Sequence, residues 1–431
     1  MRVLFVHNNF PAQYRHLAQR LARDPGFSLA AIGSPTARAL PGVKLLRYPG
    51  IDPVATQSHP FARRFEIECR RCEQVLYGLA TLRSSGFEPD VIMAHPGWGE
   101  TLPLRTFYPK ARILLYCEFF YGADGRDVGF DPEFPMSGVD FDVGLHMKNA
   151  ATMLALAECD AGISPTHWQR STFPAGFHDK IRVCHEGVDV DRVRPDPQAS
   201  FEIPNGPRLT RADEVITFVA RNLEPLRGYH RFMRALPAIL ARRPNAHVVI
   251  VGGDGVSYGA SAPTGKTWRS IYHAEVADRI DARRVHFLGS LPYETYLRVL
   301  QVSSAHVYLT YPFVLSWSLL EAMSAGAVVI GSDTAPVREI IDGENGRLVP
   351  FFDQDALVDT VIDVLARAPA HRTMRERARQ TILDRFDMQR RCLPAMLEIL
   401  REAAGPVGRV ARPAASPAWG PAAPRPLQQI A

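Results

Sequence analysis

Lysine is scarce in this chain: only five of its 431 residues are lysine, and arginine supplies nearly all of the positive charge. Lysine and arginine together number 50, against 45 aspartate and glutamate residues, so the formal net charge is only +5. No stretch of the sequence carries a basic run dense enough to predict nucleic-acid binding. The composition therefore argues against a nucleic-acid partner.

Long apolar runs are absent as well, since no stretch reaches the roughly 18 apolar residues of a membrane-spanning helix. The first residues, Met1 to Val6, have the pattern of a buried strand, and the polar His7-Asn8-Asn9 follows at once, which is unlike a signal peptide. The six cysteines are scattered, as reduced thiols in a cytoplasm would be, and do not suggest a disulfide framework. We therefore expect a cytoplasmic protein.

Metal-binding patterns are weak. Cys69 and Cys72 form a single C-x-x-C without a second pair or histidines at ligand spacing, so it does not predict zinc. Three D-x-D triplets begin at Asp140, Asp189 and Asp353, in unrelated contexts. We expect no metal and no bound cofactor.

Short apolar strands alternate with helical patterns from the first residue onward. This alternation predicts an α/β fold with parallel, doubly wound sheets. A second series of strands starts at Val215, so the sequence predicts two Rossmann-like halves with ligand sites at the carboxyl ends of their strands. One long helix is expected around Val143 to Cys159.

The predicted domains follow from this pattern. Residues 1–190 form the amino-terminal domain, and residues 191–210, rich in proline, form a linker. Residues 211–385 form the carboxy-terminal domain, and 386–404 a helix expected to pack back on the first domain. Residues 405–431 are rich in proline and alanine, which predicts a disordered tail.

The most informative stretch is a turn that leads into a short helix at residues 314–326. A helix start after a strand-end loop offers unpaired N–H groups and the positive end of the helix dipole, so it attracts a diphosphate. Glu321, about one turn into the helix, is placed to accept hydrogen bonds from ribose hydroxyls. The predicted donor-binding residues here are Val314, Leu315, Ser316, Trp317, Ser318 and Glu321.

Two arginines, Arg221 and Arg227, follow the strand that starts at Val215. Their planar guanidinium forks suit a diphosphate, although an ordinary surface turn is the alternative when the motif is taken alone. After the next strand, Gly252 and Gly253 permit close approach of a ligand. We also place in the donor site Gly289 and Ser290, after the strand predicted from Val285 to Leu288.

Polar residues follow three strands of the first half and predict an acceptor cleft. His95 and Glu118 are the candidates to exchange hydrogen bonds with a reacting hydroxyl. Each of these residues, taken singly, is equally consistent with a polar surface loop. The expected acceptor-side residues are Asn8, Asn9, Phe10 and Trp98.

With these residues in view, the chain resembles the retaining glycosyltransferases of the GT-B fold, in glycosyltransferase family 4. The resemblance covers most of residues 1–403 and is strongest from about 215 to 365. Leu319-Leu320-Glu321-Ala322-Met323 matches the second half of the family's E-x7-E signature. The first Glu of that signature, which usually touches sugar hydroxyls, falls at Phe313, so the chain departs from the pattern there.

Other positions extend the resemblance. Arg221 and Arg227 correspond to the family's basic pair, and Glu186-Gly187-Val188-Asp189 to its N-G-V-D turn. His95 lies near a position that is often polar in the family's acceptor cleft, whereas Cys117-Glu118 replaces a second family histidine.

The resemblance implies a retaining, metal-independent transferase that uses a nucleotide-diphosphate sugar and a saccharide or lipid-linked acceptor. It further implies a role in bacterial surface polysaccharide or glycoconjugate synthesis. Two other functions stay open on the same fold: a nucleotide-sugar 2-epimerase, which needs no acceptor, and a non-catalytic subunit, which Phe313 keeps open.

A basic, amphipathic segment suggests one further partner. It carries Arg63, Arg64, Arg70 and Arg71 together with apolar residues, so a peripheral contact with an anionic membrane is one interpretation. A solvated outer helix packed on the sheet is the alternative, and the sequence favours it.

Overall fold

The computed structural model of the protein describes residues 1–51, 58–123, 125–135 and 138–405. Nearly all of the predicted tail, residues 406–431, lies outside the described residues. The described chain forms two α/β units, each built on a fully parallel sheet, which confirms the predicted fold class.

The amino-terminal unit has a seven-stranded sheet in the order β3-β2-β1-β4-β5-β6-β7. Its strands are β1 Arg2–Val6, β2 Ser28–Gly33, β3 Val43–Arg47, β4 Val91–Ala94, β5 Arg112–Tyr116, β6 Ala161–Ser164 and β7 Ile181–Val183. Its helices are α1 Arg15–Ala22, α2 Arg63–Ser84, α3 Leu104–Phe107, α4 Val139–Lys148, α5 Ala150–Glu158 and α6 His167–Thr172. Strand β1 lies in the middle of the sheet, and four of its five residues are buried, as its apolar sequence predicts.

The carboxy-terminal unit follows a short antiparallel hairpin of β8 Ser200–Glu202 and β9 Arg208–Thr210. Its six-stranded sheet has the order β12-β11-β10-β13-β14-β15. The strands are β10 Val215–Asn222, β11 His247–Gly253, β12 Val285–Phe287, β13 Ala305–Tyr308, β14 Val328–Ser332 and β15 Arg347–Val349. The helices are α7 Tyr229–Arg242, α8 Trp268–Ala274, α9 Tyr293–Val302, α10 Trp317–Ala325, α11 Ala335–Arg338, α12 Gln354–Ala366 and α13 Arg372–Arg385.

The last helix, α14 Leu393–Ala404, returns to the amino-terminal unit. Its buried residues Met396 and Leu400 belong to the same apolar cluster as Val3, Phe5 and Leu17. The chain therefore crosses between the units twice, through the segment that contains the β8–β9 hairpin and through the segment before α14.

The predicted single helix from Val143 to Cys159 is wrong, because two helices, α4 and α5, meet at Asn149. The buried side chain of Asn149 accepts from the N–H of Tyr121 at 3.1 Å and donates to its carbonyl at 2.9 Å. This side chain pairs with a distant loop, and such a contact leaves no trace in helical periodicity. Among the described helices, none is long and apolar enough to cross a bilayer.

Candidate functional site

The turn before α10 lies at the carboxyl end of β13, as the sequence predicts for a ligand site. Ser316 caps the helix: its hydroxyl accepts from the N–H of Ser318, while its own N–H donates to the Tyr308 hydroxyl at 2.7 Å. The main-chain carbonyl of Val314 accepts from Arg227, and the side chain of Leu315 packs on the apolar cluster beneath α10. The helix therefore begins at a firmly held turn beside a cationic side chain.

Arg221 is the penultimate residue of β10, and Arg227 lies in the loop that follows the strand. The Arg227 guanidinium donates to the Thr310 hydroxyl at 3.0 Å and to the Val314 carbonyl at 2.8 Å. Gly228, next in sequence, adopts φ +68°, and a Cβ there would lie 2.3 Å from Leu309 Cβ. Only glycine therefore lets this loop lie close enough to β13 for Arg227 to reach the turn before α10.

Glu321 is placed one turn into α10 and is held by two tyrosines. Its carboxylate oxygens each accept a hydroxyl at 2.6 Å, from Tyr293 and from Tyr296. Burial raises the pKa of Glu321, and the two tyrosine hydrogen bonds act against that shift. Each oxygen keeps a second lone pair, so the carboxylate can still accept from a ligand hydroxyl.

The predicted glycine-rich donor residues gather at neighbouring strand ends. Gly252 is buried, and its N–H donates to the Gly289 carbonyl at 3.0 Å. A Cβ on Gly253 would lie 2.7 Å from the Asn222 amide oxygen and 3.7 Å from the Ser290 hydroxyl. The structure thus brings these residues together, although Gly252 serves close packing and does not line an open surface.

In the amino-terminal unit, on the other side of the boundary, His95 and Glu118 form a pair. His95 Nε2 lies 3.3 Å from one Glu118 oxygen, and Gln13 donates to the other at 2.9 Å. The Gly97 N–H donates to His95 Nδ1 at 3.1 Å, so the ring proton sits on Nε2 and is donated to Glu118. Both ring nitrogens of His95 take part in hydrogen bonds, and the carboxylate of Glu118 is the negative group of the pair.

Glu118 is ionised in this setting. Burial alone would raise its pKa, but the hydrogen bond and the electrostatic interaction with His95, together with the Gln13 hydrogen bond, outweigh burial and hold the pKa below its usual value. The neighbouring His7 is uncharged, because burial and then the nearby His95 lower its pKa to about 3. The amino-terminal side of the cleft therefore offers one ionised carboxylate, Glu118, beside the aromatic rings of His95 and Trp98.

The structure places the four predicted acceptor-side residues in different surroundings. Trp98 stacks on His95 with ring centroids 4.1 Å apart, so it forms part of the wall beside Glu118. Asn8 is half-buried, and exposed Asn9 accepts from the Thr36 hydroxyl at 2.6 Å. The prediction that Phe10 faces the acceptor needs correction, because its ring is fully buried against Phe5. The side chain supports the loop from beneath and does not face the cleft.

Phe313, where the family signature has its first Glu, is buried at the boundary between the units. Its ring centroid lies 4.7 Å from that of Phe119 and 4.9 Å from that of Tyr258. The Arg227 guanidinium carbon lies 5.6 Å from the same ring, within cation–π range. An aromatic contact thus replaces the carboxylate.

Glu186 joins the two units at the start of α10. One of its oxygens accepts from the Trp317 indole at 2.5 Å and the other from the Tyr116 hydroxyl at 2.8 Å. The exchange of Asn for Glu in the turn that resembles N-G-V-D therefore has a structural reason. It orients exposed Trp317 and ties α10 to β5.

The basic segment lies on α2, and part of it contacts the rest of the amino-terminal unit. Arg64 donates to the Gly97 carbonyl and Arg71 to the Trp98 carbonyl, each at 2.7 Å, while Arg70 pairs with Glu66. Of the four arginines considered for a membrane surface, two therefore hold the loop that carries Trp98. Helical spacing alone could not show which face these side chains serve.

One group of side chains has the composition of a metal site: Asp131, Glu133 and His230 place ligand atoms within 4.8 Å of one another. Asp131 already accepts from His230 at 3.0 Å and from the Tyr311 hydroxyl at 2.8 Å. Both Glu133 oxygens accept from Arg234. These bonds cross between the two units, so the group links the units through hydrogen bonds and ion pairs.

Two family models match the chain. Residues 25–193 match a model described as glycosyl transferase family 4 group, and residues 202–381 match glycosyl transferases group 1. The chain belongs to the group 1 glycosyltransferases. The boundary between the matched regions falls in the segment of the β8–β9 hairpin.

Curated relatives have informative names. A phosphatidyl-myo-inositol mannosyltransferase of Mycolicibacterium smegmatis is 30% identical over 52% of this chain and 62% of the relative. A GDP-mannose-dependent alpha-(1-6)-phosphatidylinositol monomannoside mannosyltransferase of the same organism is 26% identical. The match covers 68% of this chain and 73% of the relative's length. A D-inositol 3-phosphate glycosyltransferase of Saccharomonospora viridis is 28% identical, and the match spans 51% of its length. The chain thus matches between half and three quarters of these relatives' lengths.

Solved structures share the fold. A sucrose-phosphate synthase from Thermosynechococcus elongatus aligns with TM-score 0.69 at 17% identity, over 93% of this chain and 98% of the other. The Anabaena HepE protein in complex with UDP aligns with TM-score 0.62 at 15% identity, over 93% and 100%. At such identities the likeness establishes the GT-B fold alone.

Proposed function

We propose that this group 1 glycosyltransferase moves a sugar from a nucleotide-diphosphate donor to a hydroxyl acceptor, with retention of configuration and without a metal ion. One observation carries the proposal: Arg221 and Arg227 lie at the carboxyl end of β10, and Arg227 is bonded to the turn from which α10 starts. Two guanidinium groups and a helix amino terminus together suit a diphosphate.

On this proposal the positive groups act on the leaving diphosphate. Its charge grows as the bond to the sugar breaks, and preorganised donors stabilise that charge more in the transition state than in the ground state. Arg227 is already oriented by Thr310 and Val314, so little reorganisation is needed. Because the two arginines supply the positive charge, the proposal needs no metal at the diphosphate.

The acceptor would enter from the amino-terminal side. Glu118, held ionised by His95 and Gln13, accepts a hydrogen bond from the incoming hydroxyl and orients it. The lowered pKa makes Glu118 a weak base, so its role is to position the hydroxyl. In a retaining reaction the hydroxyl then attacks on the face from which the phosphate departs.

The donor and acceptor classes follow from the relatives' names. A GDP-mannose-dependent enzyme is among them, so we propose GDP-mannose as the first donor to test. Inositol-containing acceptors appear in three of the relatives' names, and we propose a phosphorylated or lipid-linked cyclitol or saccharide as the acceptor class. A lipid-linked acceptor would bring the protein to a membrane surface.

The test is a donor screen on the full chain. GDP-mannose, UDP-glucose, UDP-N-acetylglucosamine and ADP-glucose are incubated with inositol phosphates and phosphatidylinositol, and products are read by mass shift. Transfer from one nucleotide sugar, unchanged by EDTA and with the anomeric configuration of the donor by NMR, supports the proposal. Inversion or full dependence on a divalent ion would contradict its finer parts.

Phe313 favours a second candidate, a non-catalytic GT-B subunit. Phe313, which stands where the E-x7-E signature has its first Glu, is buried in a contact with Phe119. Calorimetry with GDP, UDP and ADP separates the two functions. Binding of any of these nucleotides supports the transferase, whereas no binding to any of them favours the subunit.

A further inference from the structure

Tyr258 lies in the segment between β11 and α8, where the sequence shows no ligand motif. Its ring centroid is 5.8 Å from the guanidinium carbon of Arg221 and 5.9 Å from that of Arg227. The ring also packs on Phe313 at 4.9 Å, yet the side chain keeps 38% of its surface exposed. One accessible aromatic side chain thus lies next to both arginines that are predicted to bind the diphosphate.

The loop that carries the two arginines also holds Tyr258 in place. Glu224, buried between Arg221 and Arg227 in sequence, accepts from three successive backbone N–H groups: those of Ser257 at 2.7 Å, Tyr258 at 3.2 Å and Gly259 at 2.8 Å. Three hydrogen bonds to a buried carboxylate form a strong, directional anchor. The position of Tyr258 is therefore coupled to that of the arginines.

A second anchor acts on the same segment. The Asn222 amide oxygen accepts from the Gly255 N–H at 3.1 Å, and its amide nitrogen donates to the Ser257 hydroxyl at 2.7 Å. Asn222 and Glu224 therefore fix residues 255–259 at five points. Such a segment is a wall of the site.

The Tyr258 hydroxyl has no hydrogen-bond partner within the part of the chain that the structure describes. Burial raises the pKa of Tyr258, the Glu118 charge across the cleft raises it further, and Arg221 and Arg227 act in the opposite direction. The phenol stays protonated at neutral pH and can donate. Its ring thus lies beside the two predicted diphosphate arginines, and the Glu118 charge acts on it from the amino-terminal unit.

We propose that Tyr258 contacts the substrate directly: its hydroxyl donates a hydrogen bond to the distal phosphate of a nucleoside diphosphate held by Arg221 and Arg227. Glu224 is the positioning residue that holds Tyr258 there. The inference rests on the proposed function. The distal phosphate is assigned because it carries the sugar in the donor, and because Tyr258 packs on Phe313, which contacts Phe119 of the amino-terminal unit.

Calorimetry on the full chain tests this, with GDP and UDP as diphosphates and GMP and UMP as monophosphates. Tyr258→Phe removes a hydroxyl that bonds to no described residue, so the fold and the melting temperature should not change. We expect its affinity for the preferred diphosphate to fall about 10- to 100-fold, since a hydrogen bond to a charged group is lost. Affinity for the matching monophosphate should stay within about twofold. Tyr77→Phe is the matched control, because the side chain of Tyr77 is exposed on α2.

Glu224→Gln tests the positioning role. It removes the charge that holds three N–H groups, so diphosphate affinity should fall while monophosphate affinity is kept. Combined with Tyr258→Phe it should add little further loss, because both changes act through one contact.

The outcomes are distinguishable. If the wild-type chain binds none of the four nucleotides, the proposed function and this inference both fail. If it binds GDP or UDP and Tyr258→Phe binds equally well, only the role of Tyr258 fails. Tighter binding by Tyr258→Phe would show that the side chain obstructs the site, and equal losses for diphosphate and monophosphate would show that the distal phosphate is not its partner; either result overturns the inference.

Discussion

Phe313 and Phe119 meet edge to face across the boundary between the two units, with ring centroids 4.7 Å apart and planes inclined at 68°. The Phe313 ring is almost completely buried, although it lies between two sheets that belong to separate units. The two rings therefore help to hold the units against each other at the predicted site. A polar residue at either position would lose this contact.

Phe313→Ala should lower the stability of the protein. Truncation of a buried phenylalanine removes apolar contacts and leaves a cavity, which costs about 3 kcal/mol or more. For units of this size that corresponds to a fall in melting temperature of roughly 5 °C or more, read by calorimetry. Leu154→Ala, half-exposed on α5, should change it by little. An unchanged melting temperature for Phe313→Ala would show that the ring is not packed between the units.

Arg227→Ala should lower kcat by about 100-fold or more, once a donor and acceptor are known. Preorganised donors to a developing charge have this magnitude in other enzymes. Arg283→Ala removes an arginine whose side chain is 90% exposed at the opposite end of its sheet, and it should leave kcat unchanged. Near-normal turnover by Arg227→Ala, with its melting temperature kept, would remove Arg227 from the diphosphate site.

Acid should destabilise the fold through buried neutral histidines, of which His306 is the clearest. It is fully buried on β13, Nδ1 lies 2.8 Å from the Thr217 hydroxyl, and burial lowers its pKa to about 3. In the unfolded chain a histidine titrates near 6.5, so the unfolded state takes up the proton first as pH falls. The stabilising contribution of neutral His306 is therefore complete above about pH 6.5 and is lost progressively as pH falls toward 3.

A variant comparison isolates this effect from groups of opposite sign, such as Glu100, whose pKa burial raises to about 7. His306→Asn should be less stable than wild type at pH 7.5, because a buried contact changes. Between pH 7.5 and pH 5.0 the difference in unfolding free energy should narrow by about 2 kcal/mol, the cost of protonating one histidine in the unfolded chain alone. Urea unfolding at both pH values measures it, and a constant difference would mean that His306 titrates normally in the fold.

The predictability of the site depended on how far apart its parts lie in sequence. Arg221 lies at the carboxyl end of β10, Arg227 lies in the loop after it, and the turn before α10 lies in the loop after β13, so strand alternation placed all three at one sheet edge. Tyr258 lies in a loop of small residues, and the hydrogen bonds with Asn222 and Glu224 that hold this loop join residues 33 to 35 positions apart. Phe119 and Phe313 come from different units. Contacts between such distant segments follow from the packing of whole elements and leave no periodic signal.

The same limit applies on the amino-terminal side. Phe10 follows β1 and looks like a cleft residue, yet its ring turns into the core beside Phe5. Arg64 and Arg71 have helical spacing with apolar residues, which suits a surface, yet both reach carbonyls of the loop at Gly97 and Trp98. Residue type and spacing identify a chemical group. Only the packing decides which way it points.

Glu321 should recognise the ribose of the donor nucleotide. Its two oxygens are fixed by Tyr293 and Tyr296, and this fixes their free lone pairs toward any ligand at the start of α10. We expect the wild-type chain to bind its preferred nucleoside diphosphate about 10-fold or more tightly than the 2′-deoxy form, because the deoxy form cannot donate a 2′-hydroxyl hydrogen bond to the Glu321 carboxylate. Glu321→Gln keeps the shape but weakens acceptance, so it should reduce this ratio to about threefold or less. Glu294→Gln, exposed on α9, should keep the wild-type ratio. A Glu321→Gln variant that still discriminates as wild type does would place the ribose elsewhere.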